Sequence, residues 1–199
     1  TDHLEKKDKK NKIRQRLLKI RAKKVILATG ALERPLVFNN NDRPGIMLSS
    51  AVKKYSDFYG VACGVKNIFF TNNDTAYESA LSLHNKGIKV DAIIDIRENS
   101  DAKIIKKIND AGIKIYWSHT IVDTSGYKRL SDVSIMKLSN DGMSVTGSKT
   151  SISCDCLGIA GGWTPAVHLY TQSGNKLTFD EDRNIFVPKA DNSEQICVG

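Results

Sequence analysis

Two strings in this 199-residue chain end an apolar run in glycine: Leu27-Ala-Thr-Gly30 and Ile159-Ala-Gly-Gly162. Glycine at the carboxyl end of a parallel strand lets backbone or a ligand approach closely, because no Cβ stands in the way. In open α/β sheets, ligands sit in the crevice outside those ends. A single strand also ends in glycine simply to turn. The informative feature is the pair, which flanks a strand–helix–strand unit. Within that unit, Thr71-Asn-Asn-Asp-Thr-Ala76 stands between strand and helix, where a dinucleotide site carries G-x-G-x-x-A. Only Ala76 fits that pattern. Asn72 and Asn73 tolerate left-handed backbone, so the turn survives. Their side chains fill the space a phosphate needs. Asp74 reads as a helix cap and Glu78 as a first-turn charge. Asp95, at the end of the next strand, stands where an acid bonds an adenine ribose; the simpler reading, an Asp in a strand-end turn, is preferred.

Other chemistry-bearing residues are sparse. Cys63, Cys154, Cys156 and Cys197 are scattered. Cys154 and Cys156 share a face if they lie on one strand. A lone C-x-C lacks the further ligands a metal needs, so buried free thiols are expected. The histidines, His3, His84, His119 and His168, form no recognisable catalytic set with a nucleophile. No C-x-x-C, H-E-x-x-H or phosphate-loop string is present.

The elements that position these residues follow from apolar spacing and turn signals. A half-exposed strand is expected over Ile13–Ala22 and a buried parallel strand over Lys24–Gly30. Asn39–Gly45 reads as an irregular crossover. A helix spans Ile46–Tyr59, opened by Ser49 or Ser50 and closed by Gly60. Asn67–Thr71, Asp74–Asn85 and Lys89–Ile94 then form a βαβ unit. A helix over Asp101–Ala111 precedes strands at Ile113–Trp117, Thr120–Asp123, Ser131–Leu138 and Ser151–Ala160. A helix from Ala166 to about Ser173 and extended pieces at Phe186–Pro188 and Ile196–Gly199 complete the chain.

Composition narrows the function classes. Residues 1–24 hold 11 Lys or Arg against 3 Asp or Glu, which is the whole formal excess of +8. A nucleic-acid reader spreads basic residues over a folded face; here the excess reads as a solvated loop and strand edge, so no nucleic-acid partner is expected. No apolar run reaches the roughly 18 residues a membrane span needs. The first residues have no apolar leader core. A cytoplasmic location is expected. The chain does not start with Met, and it is read as an internal piece of a longer protein.

Longer strings carry a resemblance. Ala28-Thr-Gly-Ala31 resembles the motif at which flavoprotein disulfide reductase-like chains leave a first dinucleotide domain. Asp155–Gly162 with Pro165 resembles the return segment, and Ile196–Gly199 the strand re-entering the first domain. Thr1–Leu4, Arg16–Pro35, Asn41-Asp-Arg-Pro-Gly-Ile-Met47, Phe70–Asp74 and Gly161–Leu169 resemble the alpha-subunit family of heterotetrameric sarcosine oxidases over nearly the whole chain.

That resemblance implies an α/β chain. Parts of a FAD/NAD(P)-binding-type domain (1–44 and 164–199) bracket an inserted, degenerate second Rossmann-like domain (45–163). It implies a noncovalent NAD in this subunit, touched through backbone by Ala28, Thr29, Gly30, Ala31, Gly161 and Gly162. It further implies FAD and FMN in the complex, a beta subunit with smaller subunits, and a tetrahydrofolate domain outside this chain. The implied reaction turns sarcosine into glycine, with electrons passed to oxygen and the methyl carbon to tetrahydrofolate. The alternatives are the alpha subunit of a related proline or N-methylglutamate dehydrogenase, or a non-catalytic electron-transfer scaffold. By itself the segment is expected to be inactive, and no catalytic residue or metal ligand is assigned.

Overall fold

The computed structural model describes residues 2–3, 15–100, 103–189 and 195–198. Much of the basic stretch and Asp101 lie outside them. The chain divides into two compact units: Thr1–Gly30 with Pro165–Gly199, and Ala31–Thr164.

The first unit begins with the paired strands β1 (Asp2–His3) and β2 (Gln15–Arg16), followed by β3 (Val25–Leu27). The long strand expected over Ile13–Ala22 is not formed. Its described part beyond Arg16 has no regular structure, and Leu17, Leu18 and Ile20 are exposed.

The second unit starts with β4 (Ala31–Glu33), β5 (Ile46–Leu48) and α1 (Ser49–Tyr59). It continues with β6 (Asn67–Thr71), α2 (Thr75–His84), β7 (Val90–Asp95), α3 (Ile104–Asp110) and β8 (Lys114–Trp117). A meander of β9 (His119–Ser125), β10 (Asp132–Leu138) and β11 (Val145–Ser153) follows. Then come β12 (Cys156–Ala160) and β13 (Trp163–Pro165), the latter paired with β4. Back in the first unit lie α4 (His168–Gln172), the hairpin β14 (Leu177–Asp180) and β15 (Ile185–Pro188), and β16 (Gln195–Cys197), which pairs parallel with β3.

The core of the second unit is a five-stranded sheet in the order β5-β12-β6-β7-β8, parallel at every pairing. Alternation along its strands builds two cores. Phe69, Ile93, Cys156 and Ala160 point to one face, under Val52 of α1, Tyr77, Ala80 and Leu83 of α2 and Ile108 of α3. Ile68, Phe70, Ala92, Ile94, Leu157 and Ile159 point to the other, where Ile121, Val133 and Ile135 of the meander cover them. Strands buried on both faces read as continuous apolar runs, which is why Asn-Ile-Phe-Phe-Thr was legible.

The helix expected over Ile46–Tyr59 starts only at Ser49, because Ile46–Leu48 pairs with β12 as strand β5. Three further expectations need correction. The expected strand Ser151–Ala160 is two strands in two sheets: β11 ends at Ser153 and β12 starts at Cys156. The break is made by Asp155, whose carboxylate accepts from Val65 N (3.1 Å) and Lys66 N (2.8 Å). Cys154 and Cys156 therefore do not share a face; they lie in opposite cores. Finally, Val25–Leu27 does pair parallel, but it is not buried: Ile26 is 67% exposed, because nothing among the described residues covers it.

The crossover Asn39–Gly45 is irregular, as expected, and has a structural task. Asn39 and Asn40 donate to Asp123 (3.0 and 3.2 Å), while Arg43 donates to Thr124 Oγ1 (3.3 Å) and to the Gly126 carbonyl. These bonds clamp the meander against the segment that feeds β5.

Candidate functional site

The strand ends of the parallel sheet align. Ala160 of β12 pairs with Thr71 of β6, Thr71 with Asp95 of β7, and Asp95 with Trp117 of β8. This row is the edge beside which an α/β sheet places a ligand. In this unit its own side chains bridge it.

Between β12 and β6 the bridge is made of amides. Asn73 Nδ2 donates to Ala160 O (3.0 Å) and Asn72 Nδ2 to Gly161 O (3.4 Å). Thr71 Oγ1 donates to Asn73 O (2.7 Å). Asn73 Oδ1 accepts from Thr75 N (3.0 Å) and Thr75 Oγ1 (2.6 Å). Asn73, not Asp74, thus serves the first backbone donor of α2. Asp74 has helical backbone and makes no side-chain cap bond. Its carboxylate turns to Arg97 Nη2 (2.7 Å) and Ser100 Oγ (3.1 Å).

Between β6 and β7 the bridge is ionic. Asp95 is fully buried. Its Oδ1 accepts from Arg97 N (2.9 Å) and Nε (3.1 Å), and its Oδ2 from Arg97 Nη2 (2.7 Å) and Tyr77 Oη (2.7 Å). Burial would lower the guanidinium of Arg97, but Asp95 and Asp74 outweigh it and the net shift is upward. Burial, then the bond to Asp95, pushes the Tyr77 phenol well above its ordinary range. Four donor groups saturate Asp95, so it offers nothing to a ribose. Sequence reading missed Arg97 altogether; the available signal was Asp95-Ile-Arg97 at a strand end, with Asp74 opening the preceding helix.

Gly161 and Gly162 lie in the second unit beside the chain's own backbone. Gly161 N donates to Arg34 O (2.7 Å) and Arg34 N to Gly162 O (2.8 Å). A Cβ on Gly161 would stand 2.7 Å from Arg34 O and 2.8 Å from Pro35 O. The close approach here is backbone on backbone. Ala31 is exposed at the start of β4.

The Ala28-Thr-Gly30 turn lies in the first unit and is exposed. Thr29 Oγ1 donates to Ala166 O (2.7 Å) and Ala166 N to Gly30 O (2.9 Å), so the turn is pinned. Gly30 has φ 69°, and a Cβ there would meet nothing within 4 Å. This turn leaves room for close approach by a ligand; the Asn72–Asp74 turn does not. His84 and His168 are exposed, and His119 Nδ1 lies 2.6 Å from Trp117 O. No cluster of three or more His, Cys, Asp or Glu suited to a metal occurs among the described residues. All four cysteines are free, with Cys154 and Cys156 buried. No described helix is long and apolar enough to cross a membrane.

The α/β fold with its parallel sheet is that of FAD/NAD(P)-binding oxidoreductases. Thioredoxin reductase of T. acidophilum superposes with a TM-score of 0.64 at 20% identity, over 89% of this chain and 57% of its own. L-proline dehydrogenase of P. horikoshii does so at 0.56 and 21%, over 89% and 30%. No protein-family model matches the chain.

In sequence, the chain is similar to the alpha subunit of sarcosine oxidase. It is 40% identical over 188 residues to that subunit of Corynebacterium sp. strain P-1, covering 94% of this chain and 19% of the relative. For Corynebacterium sp. strain U-96 the identity is 37% over 175 residues, and for Rhizobium meliloti strain 1021 it is 36% over 173. The chain spans less than a fifth of the length of these relatives.

Proposed function

We propose that this chain is part of an oxidoreductase of the sarcosine oxidase type, contributing the dinucleotide-binding-type region of its alpha subunit. The observation that carries this is the 36–40% identity to three sarcosine oxidase alpha subunits over about nine-tenths of the chain. The reaction proposed for the whole assembly is oxidative demethylation of sarcosine to glycine, with electrons passed to oxygen and the methyl carbon to tetrahydrofolate. FAD and FMN in the complex, a beta subunit with smaller subunits and a tetrahydrofolate domain outside this chain belong to the same proposal, as does a cytoplasmic location.

Within this chain, Ala28, Thr29 and Gly30 are proposed to meet NAD through backbone, supported by the open space at Gly30. Ala31, Gly161 and Gly162 are proposed as backbone contributors from the second unit. That unit is proposed to be an inserted Rossmann-like domain that keeps the fold and holds no dinucleotide in its own crevice. The Asn72–Asp74 bridge supports this, because it stands where G-x-G-x-x-G backbone would admit a pyrophosphate, and so does Asp95, which stands where an acid would bond a ribose and is taken up by Arg97. No proton-transfer role is assigned to any residue here.

The test is a substrate comparison on the assembled enzyme containing the full-length subunit. Sarcosine is expected to give the highest kcat/KM. A preference for proline or N-methylglutamate moves the chain to a related amine dehydrogenase, and failure of the full-length subunit to bind any dinucleotide favours a scaffold.

A further inference from the structure

The helix α1 covers its small residues and leaves its rings outside. The face it turns to the core carries Ser49, Val52 and Ser56, all buried. Val52 joins the core cluster, while the hydroxyls of Ser49 and Ser56 are buried with no hydrogen-bond partner among the described residues. The start of the helix is anchored where Ser50 N donates to Glu33 Oε2 (2.9 Å). Its side toward α2 is held by Asp57, which accepts from Ser82 Oγ (2.6 Å) and Lys86 Nζ (2.5 Å).

The remaining surface of α1 is aromatic. Tyr55, Phe58 and Tyr59 follow at the i, i+3, i+4 spacing that makes neighbours on a helix surface. They are 44%, 77% and 59% exposed. Their rings lie together, with centroids 5.7 Å apart for Tyr55 and Tyr59 and 5.0 Å for Phe58 and Tyr59. Val61, just past the Gly60 turn, is half exposed, and Trp163 of β13 lines the same cavity as Phe58. A helix with a single covered face places its large apolar residues there and polar ones outside. Here one valine and two serines are covered and three rings are not. Isolated exposed apolar residues are ordinary, but a contiguous group marks a surface that another surface covers. Aromatic residues are also the type enriched at the centre of interfaces.

We propose that this face of α1 seats another part of the same polypeptide, an apolar surface of the full-length subunit outside these 199 residues. This rests on the alpha-subunit reading above. The chain covers 19%, 18% and 16% of the lengths of the relatives it matches, so in a subunit of that size more than four-fifths of the polypeptide is available as the occupant. The size of the patch favours an occupant in the same chain. Stable interfaces between separate proteins use roughly 20–30 residues a side, far more than α1 offers. A surface tethered to the same chain is held at high effective concentration, so a small patch is enough to seat it.

Photo-crosslinking of the assembled full-length enzyme tests this, with Phe58→p-benzoyl-phenylalanine and, separately, Tyr59→p-benzoyl-phenylalanine. Both positions are exposed, so each probe replaces a ring without entering the core. Irradiation is expected to join position 58 or 59 to a peptide of the same subunit outside Thr1–Gly199, leaving the mass of that subunit unchanged on a denaturing gel. A link to a different subunit, a link between two copies of this subunit, links confined to Thr1–Gly199, or no link from either position overturns the proposal. If a variant does not assemble, its full-length subunit is irradiated alone and read by the same rule. Sarcosine turnover by the unirradiated enzyme is measured separately. A link within the subunit without turnover sinks the functional reading alone, and turnover without that link sinks the docking alone.

Discussion

Arg97 folds back onto Asp95, two residues before it, and bonds both carboxylate oxygens while the same Nη2 reaches Asp74 at 2.7 Å. The end of β7 is thereby tied to the start of α2 across the crevice edge. A guanidinium spanning two acids, one of them fully buried, is a structural clamp.

Removing the clamp leaves a buried charge. Arg97→Ala is expected to cost about 3 kcal/mol, since Asp95 keeps only Tyr77 and the backbone N–H of residue 97. Adding Asp95→Asn is expected to restore part of this. Urea denaturation of the single and double variants measures both; equal losses in Arg97→Ala and the double variant contradict the clamp.

Tyr77→Phe removes one donor from the same carboxylate. A loss of about 1 kcal/mol is expected, smaller than for Arg97→Ala, because Asp95 retains its ionic partner. The same variant should not change the part of the tyrosine absorbance that titrates below pH 12, since burial and Asp95 hold the Tyr77 phenol far above its usual range.

How much of this could be read from the chain alone depends on where the information lay. The strands Asn67–Thr71 and Val90–Asp95 announce themselves because burial on both faces demands unbroken apolar residues. Glycine endings at Gly30 and Gly162 mark the turns. The clamp was illegible: Arg97 and Asp74 lie 23 positions apart, and only the register placing Asp95 beside Thr71 brings them together. The split at Asp155 was hidden for a similar reason. Its cause is the bonds to Val65 and Lys66, some 90 residues upstream. Glu33 was legible only as part of a family-like string; its burial follows from α1 starting at Ser49 above it.

The two kinds of glycine should respond differently to alanine. Gly161→Ala drives a methyl into the Arg34 and Pro35 carbonyls and is expected to cost about 2–3 kcal/mol. Gly30→Ala meets open space and is expected to cost about 1 kcal/mol, for positive φ alone. Thermal unfolding of both variants checks the order, and a Gly30 variant less stable than the Gly161 variant contradicts it.

The thiols of Cys154 and Cys156 are pushed up to about 12, by burial first. Below the ordinary value of 9.0 both folded and unfolded chains keep these protons, so the pair adds no pH dependence. Between 9 and 12 the unfolded chain ionises and the folded chain does not. Stability should therefore fall as pH rises, by up to about 1.4 kcal/mol per unit for each thiol. Melting curves from pH 8 to 10.5 should flatten in a Cys154→Ala/Cys156→Ala variant. In the native protein at pH 8 neither thiol should react with a thiol reagent until unfolding.

The most direct measurement is photolabelling of the full-length protein with an azido-adenine analogue of NAD, followed by peptide mapping. Label is expected on the peptide holding Ala28–Gly30 and absent from those holding Asn72–Thr75 and Asp95–Arg97. Label concentrated at Asn72–Thr75 or Asp95–Arg97, competed away by NAD, would contradict the account.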